Sequence, residues 1–225
     1  MLLANPARPL MKKLSLRLQT IFELVPFGYD VIWDLCCDHG YLGLMLAKEK
    51  ISEQVFLIDC VPSIIENLQA RLKKLPQIKN VAQAGLQDAG TIQLVEKKKQ
   101  LLIISGVGGL ATIELLQQIF SNNPSQEKPD LLLSPKHHLF AVRKFLISQG
   151  YQLINETLSF ENSRSYENLL VSQDGELPLV DTGSIQWNID DSQHLDYLNI
   201  QIEHNRRKQA HAIVEKYCAL QVSLD

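Results

Sequence analysis

Two carboxylates, each closing an apolar run, carry the first chemistry in this chain. Asp34 ends the run Val31-Ile32-Trp33, and Asp59 ends Val55-Phe56-Leu57-Ile58, 25 residues further on. Such runs read as strands buried on both faces of a parallel sheet, whose ligands sit beyond the carboxyl ends of the strands. Cys36, Cys37 and Gly40 keep the turn after Asp34 small, so that a ligand can touch main chain. The helix that opens near Tyr41 brings first-turn amides to the same place, where they can meet an anion. The glycines depart from G-x-G-x-x-G, which would hold a pyrophosphate. Only Gly40 and Gly43 stand there, among Asp34 and Asp38. Paired carboxylates repel a pyrophosphate and attract a cation.

S-adenosylmethionine, with its sulfonium, its amino group and its carboxylate, is a ligand of that description. An acidic residue at the end of the second strand, roughly 20 residues on, accepts ribose hydroxyls in such folds. The adenosine half is therefore expected across Asp59, with Cys60 beside it. Singly, each Asp also reads as a helix cap; their joint register favours the cofactor.

These residues need an α/β framework. The chain has 225 residues and 45% hydrophobic content, enough for one well-filled core and a small appendage. We expect a Rossmann-like seven-stranded sheet over residues 1–173, and a linker with a short helical C-terminal extension over 174–225. Ser15 to Leu24 reads as an amphipathic helix, stopped by Pro26 and Gly28, that covers the mouth of the site. Val81-Ala82-Gln83, Leu101 to Ile104 and Leu131 to Leu133 are further strands, and a helix from Phe140 to Ser148 stops at Gly150. Tyr151 to Phe160 and Tyr166 to Ser172, joined by Glu161-Asn162-Ser163-Arg164, form a hairpin that closes the sheet. Ser192 to about Val222 carries a helical stripe broken by the polar cluster His204 to Gln209.

No run has the length of a membrane span or of a signal-peptide core, so a cytoplasmic protein is expected. The four cysteines make no disulfide framework and read as reduced thiols. A net charge of −3 gives no global attraction for nucleic acid, so any RNA contact must come from local basic groups. Nothing in the sequence implies a stable protein partner.

At the level of motifs the chain resembles the TrmK family, bacterial tRNA methyltransferases that act on N1 of adenine 22. The resemblance runs from about Leu14 to Ser172. It rests on LSLRL at Leu14 to Leu18, DLCCDHGYL at Asp34 to Leu42, AGL at Ala84 to Leu86, SGVGG at Ser105 to Gly109 and SYENLLV at Ser165 to Val171. It implies a Rossmann-like catalytic domain, S-adenosyl-L-methionine as cofactor and tRNA as substrate, with Gly85 and Leu86 reading the adenine edge of the cofactor. Family members usually carry Gly-Ser at Cys36-Cys37, Asp or Asn at Ala84, Ala-Gly-Met-Gly-Gly at SGVGG and Gln-Pro-Asn at Ser134-Pro135-Lys136. Their C-terminal extension is longer.

Methylation at adenine N1 needs no base, because that nitrogen carries a lone pair and no proton. Placement and charge stabilisation dominate. Asp38 is the candidate to offset positive charge on the ring, although it also reads as a helix cap. Ser105 and Gly106 end the fourth strand, where amino-methyltransferases present a backbone carbonyl to the target, and Gly108 and Gly109 let main chain approach a flat base. Tyr41 is a candidate to stack on the base. Arg17, Lys136, Arg206 and Arg207 are the candidate RNA contacts, with Lys12 and Lys13 preceding the first helix. Lys97 to Lys99 reads as a solvated face.

Other readings keep the cofactor and change the acceptor to another RNA, a protein or a small molecule, or make the chain a non-catalytic cofactor-binding module. A zinc site from Cys36, Cys37, His39, His137 and His138 lacks the usual ligand spacing. A thiol hydrolase built on Cys37 and His39 lacks an orienting partner.

Overall fold

The computed structural model describes residues 14–224. Its centre is one seven-stranded sheet in the order β3-β2-β1-β4-β5-β7-β6. The strands are β1 (Tyr29–Leu35), β2 (Ser52–Asp59), β3 (Ala82–Leu86), β4 (Gln100–Ser105), β5 (Asp130–Ser134), β6 (Gln152–Glu161) and β7 (Arg164–Ser172). β1 to β5 pair in parallel, and β7 runs antiparallel to both β5 and β6. The expected sheet and its closing hairpin are both present. Asn162 and Ser163, at φ of 50° and 59°, make the two-residue turn between β6 and β7 with the left-handed backbone that tight hairpins need.

The helices are α1 (Leu16–Leu24), α2 (Tyr41–Lys48), α3 (Pro62–Leu72), α4 (Gly109–Asn122), α5 (Leu139–Ser148), α6 (Ser192–Arg207) and α7 (His211–Leu224). Alternation in the strands splits the core in two. Ile32, Leu57, Leu101, Ile103, Leu132 and Leu170 face α1, α2 and α3, while Val31, Leu102, Ile104, Leu131, Leu133 and Leu169 face α4 and α5. The chain passes from the β3 edge back to β4, beside β1. The crevice between the carboxyl ends of β1 and β4 is therefore the switch point where such sheets take their ligands.

Local sequence fixes the element ends that matter to this crevice. Ser15 caps α1, its hydroxyl accepting from the Leu18 N–H at 3.4 Å. Gly40 precedes α2 in the left-handed region at φ 64°, and a Cβ there would stand 2.6 Å from side-chain atoms of both Leu57 and Leu68. Only glycine allows α2 to start this close to β2 and α3.

The segment 174–191, read from the sequence as a linker or loop, is an irregular stretch that packs on the domain. Leu177 pairs with Leu153 beside β6, and Leu179, Thr182 and Gln186 are buried. Its anchor is Arg143 of α5, wholly buried. Arg143 pairs with Glu156 and Glu167, each at 2.7 Å, and donates to the Val180 carbonyl at 3.2 Å and to Gln186 at 3.3 Å. Tyr197 of α6 donates to Glu167 at 2.8 Å, so one buried network joins sheet, segment and extension. Such charges were not foreseeable from alternation alone, because a buried charge is retained only when it is paired. Among the described residues, no helix is long and apolar enough to cross a membrane.

Candidate active site

At the end of β1 the chain turns through two left-handed non-glycine residues, Cys36 at φ 54° and Asp38 at φ 49°. Asp59 holds that turn open. Its Oδ2 accepts the Asp38 N–H and its Oδ1 the Val61 N–H, both at 3.0 Å. Two oxygens offer about four acceptor positions, so Asp59 retains capacity for a diol. Gly40 brings no side-chain acceptor to the first turn of α2, and Asp34 reaches it from below, its Oδ2 accepting the Gly43 N–H at 2.9 Å. Burial pushes the Asp34 carboxyl up to about 7, against the Gly43 hydrogen bond and with help from the charge of Asp59.

Asp34, Asp59 and Asp88 gather around Cys36. Burial, followed by Asp59, Cys60, Asp34 and Asp88, pushes its thiol up to about 11, and burial raises Cys37 further still. Both cysteines are therefore neutral fillers rather than nucleophiles. Beside Asp59, Val61 and Leu86 expose 41% and 55% of their surfaces, an apolar pair on either side of a carboxylate. Diol acceptors between apolar residues, with carboxylates nearby, suit the adenosine and cationic parts of S-adenosylmethionine. Val61 and Asp88 had no motif to announce them. Asp88 shows itself only by capping the short turn Ala89–Thr91 through the Gly90 N–H at 2.8 Å.

The predicted cofactor residues Asp34, Cys36, Cys37, Gly40, Tyr41, Asp59, Cys60, Gly85 and Leu86 all lie at the carboxyl ends of β1, β2 and β3, on the turns that follow, or, for Tyr41, at the start of α2. Tyr41 opens α2 with the Arg71 guanidinium 5.0 Å from its ring centroid, and Arg71 donates to the His39 carbonyl at 2.6 Å. Asp38 does not cap α2; its side chain is 72% exposed, 3.8 Å from His39. Its backbone leans to the β2 side of β1, whereas Ser105 and Gly106 leave β4 on the other side.

The loops after β4 and β5 are laced together on that other side. Gly106 N–H donates to the Ser134 carbonyl at 2.9 Å, Lys136 N–H to Val107 at 2.9 Å and Gly109 N–H to His137 at 3.1 Å. A Cβ on Gly109 would lie 2.4 Å from the His137 carbonyl oxygen, so this seam requires glycine, and the His137 ring packs on Gly108. Arg17 of α1 reaches the same seam, with its Nη1 3.4 Å from where a Cβ of Gly106 would stand and its guanidinium 4.8 Å from the Tyr166 ring centroid. Lys136, Arg206 and Arg207 are exposed. His204 and Lys208, at the end of α6, lie near enough to His138 to lower its pKa, after burial and together with His137. The α6–α7 turn thus stands beside the loop that carries Lys136. A cleft of about 300 Å³ lies elsewhere, between the β6–β7 turn and α6, and none of the predicted site residues lines it.

The chain belongs to the methyltransferase domain family, whose model matches residues 14–169. Within that class it is similar to TrmK proteins. The tRNA (adenine(22)-N(1))-methyltransferase of Bacillus subtilis is 24% identical over 165 residues, which cover 73% of this chain and 66% of that protein, just under two thirds of its length. M. capricolum TrmK in complex with S-adenosyl-homocysteine superposes with a TM-score of 0.75 at 16% identity, over 94% of this chain and 98% of that one. Streptococcus pneumoniae Sp1610 in complex with S-adenosyl-L-methionine gives a TM-score of 0.75 at 18% identity, over 95% of this chain and 100% of that one. The TrmK resemblance expected from the motifs is met in both sequence and fold.

Proposed function

We propose that the protein transfers the methyl group of S-adenosylmethionine to N1 of an adenine in tRNA. The observation that carries this reading is the switch-point crevice itself. Asp59, with acceptor capacity to spare between exposed Val61 and Leu86, ends β2 on one side of β1, and on the other side a glycine-laced seam after β4 offers main chain to a flat base. The relatives' activities support the choice of acceptor. A tRNA substrate would in turn place the protein in the cytoplasm.

The cofactor supplies an electrophilic methyl; the remaining work falls to the chain. Asp59 fixes the ribose and the Cys36–Asp38 turn together. The first turn of α2 faces the carboxylate end of the cofactor. On the acceptor side, adenine N1 needs no proton removed, so the seam from Ser105 to Gly109 has only to hold the base in line with the methyl. Asp38, exposed at the mouth, offsets the charge that develops on the ring. Arg17, Lys136, Arg206 and Arg207 take the RNA backbone, and Tyr41 offers an aromatic face.

The deciding experiment incubates the protein with methyl-labelled S-adenosylmethionine and unmodified tRNA transcripts and identifies the labelled nucleoside by mass spectrometry. Label in 1-methyladenosine is the expected result. Cofactor binding without label in tRNA would move the acceptor to another RNA, a protein or a small molecule.

A further inference from the structure

Beneath the β4–β5 seam lies a row of polar side chains in a place where the alternation calls for apolar ones. Ser105 and Ser134 are direct partners across β4 and β5. Continuing the Leu133–Leu169 register by one residue brings Ser134 alongside Asn168 of β7. All three share the face of Ile103, Leu132 and Leu170, which packs toward α1. Asn168 is 0% and Ser134 1% exposed. Yet Ser105 Oγ, Ser134 Oγ and Asn168 Oδ1 have no hydrogen-bond partner among the described residues, and neither does Arg17 Nη1. Buried polar groups are nearly always paired, so four such atoms around one seam call for a partner from outside the chain.

The chemistry of the row is directional. Asn168 Nδ2 donates to the Thr157 carbonyl at 3.4 Å and to Ser159 Oγ at 3.1 Å. A carbonyl can only accept, which fixes the amide orientation and leaves Oδ1 as an acceptor waiting for a donor. The two serines can donate or accept. Over the row lies the Arg17 guanidinium, stacked on Tyr166 and against Gly106. An aromatic face beside a seam of glycines is where a base swung out of its stack would lie, and a base stacking there displaces Arg17 and uncovers the row.

We propose that Ser105, Ser134 and Asn168 form the floor that selects adenine, with the amino group at C6 of the target base donating to Asn168 Oδ1. This rests on the reading of the seam as the acceptor site for adenine N1. Adenine presents that amino group next to N1. Guanine presents an oxygen at C6, which would set acceptor against acceptor at Asn168 and leave both unpaired. The row therefore favours adenine by what it refuses as well as by what it binds.

The test uses the full chain loaded with S-adenosylhomocysteine. Adenosine 5′-monophosphate is compared with purine riboside 5′-monophosphate, which keeps N1, sugar and phosphate and lacks only the amino group. Affinity is titrated while the side-chain amide resonance of Asn168 is followed by NMR. Adenosine monophosphate should bind about tenfold tighter and alone shift that resonance. Asn168→Leu should bring the preference close to one while leaving the affinity for purine riboside in place. Ser134→Ala, a smaller change that preserves the fold if Asn168→Leu does not, should reduce the preference as well. Equal affinities in the parent protein, or a preference that survives both substitutions, would overturn the proposal and assign the row an ordered water only. Because the measurement reads binding, a protein that prefers adenine here but labels no tRNA would sink the tRNA reading and leave the floor standing.

Discussion

Asp59 accepts the backbone N–H of Asp38 at 3.0 Å, and that bond ties the turn leaving β1 to the end of β2. With Val61 N–H on the other oxygen, one carboxylate both shapes the cofactor turn and remains available to a ligand. Asp59→Asn replaces one acceptor by an NH₂ that opposes a backbone donor. It should weaken S-adenosylhomocysteine binding by at least about tenfold and destabilise the fold by about 1–3 kcal/mol. Calorimetric titration and chemical denaturation read the two effects separately. Unchanged affinity would remove Asp59 from the cofactor site.

Asp34 makes stability depend on pH in a stated direction. Burial pushes its folded pKa up to about 7, against about 3.9 unfolded, so the folded state holds the proton more tightly. The stabilisation from this group is complete below about pH 4 and is lost progressively until the pH passes about 7, up to about 4 kcal/mol in all. Asp34→Asn keeps an oxygen for the Gly43 N–H and no longer titrates. Denaturation of the ligand-free protein between pH 5 and 8 should show a fall in stability that the variant lacks; parallel profiles for parent and variant would contradict the assignment. A cationic ligand favours the ionised form, so cofactor binding near pH 6 should release a proton, which calorimetry in buffers of different ionisation enthalpy would detect.

The parts legible in the sequence were those governed by periodicity and punctuation. Runs ending in Asp34 and Asp59 gave β1 and β2, Pro26 and Gly150 marked helix ends, and the Asn162-Ser163 turn separated β6 from β7. What local pattern could not give was partnership across the sheet. Asn168 sits in a run that reads as plain strand, and only its register beside Ser134 makes it notable. Nothing in the local pattern singles out Arg143 on α5; only the approach of Glu156 from β6 and Glu167 from β7 marks it. Asp38 reads as a site residue with a helix cap as the alternative, and the capping alternative falls because Gly40 stands at the N-cap with no side-chain bond.

The Arg143 network predicts a clear asymmetry between breaking and removing a buried ion pair. Burial alone would lower the arginine pKa, but Glu167 and then Glu156 raise it above the ordinary value, so the charge stays in place. Arg143→Leu leaves two buried carboxylates without their counter-charge and should destabilise by about 3–5 kcal/mol. Replacing Glu156 and Glu167 by Gln in that background should recover a large part of the loss. Because the network also holds residues 174–191 and α6, limited proteolysis of Arg143→Leu should cut that segment before the sheet opens. A single cooperative loss, with no early cut, would show that extension and sheet unfold as one.

The C-terminal arm is tested by salt rather than by structure. Arg206 and Arg207 are exposed at the end of α6, beside the loop that carries Lys136, and phosphate contacts release counterions when they form. Arg206→Ala, Arg207→Ala and Lys136→Ala should each weaken tRNA binding without changing cofactor affinity and should flatten the dependence of log affinity on log salt by about one contact. The histidines nearby add a direction in pH. Burial, then neighbouring His137, Lys208 and His204, holds His138 below its ordinary value, and burial, then Lys208 and Arg207, does the same for His204. Both are held toward the neutral form and gain charge on acidification, so tRNA affinity at fixed salt should rise as the pH falls. Filter binding at several salt concentrations and two pH values measures both. A slope identical to the parent's in all three variants would mean that the RNA lies away from the arm.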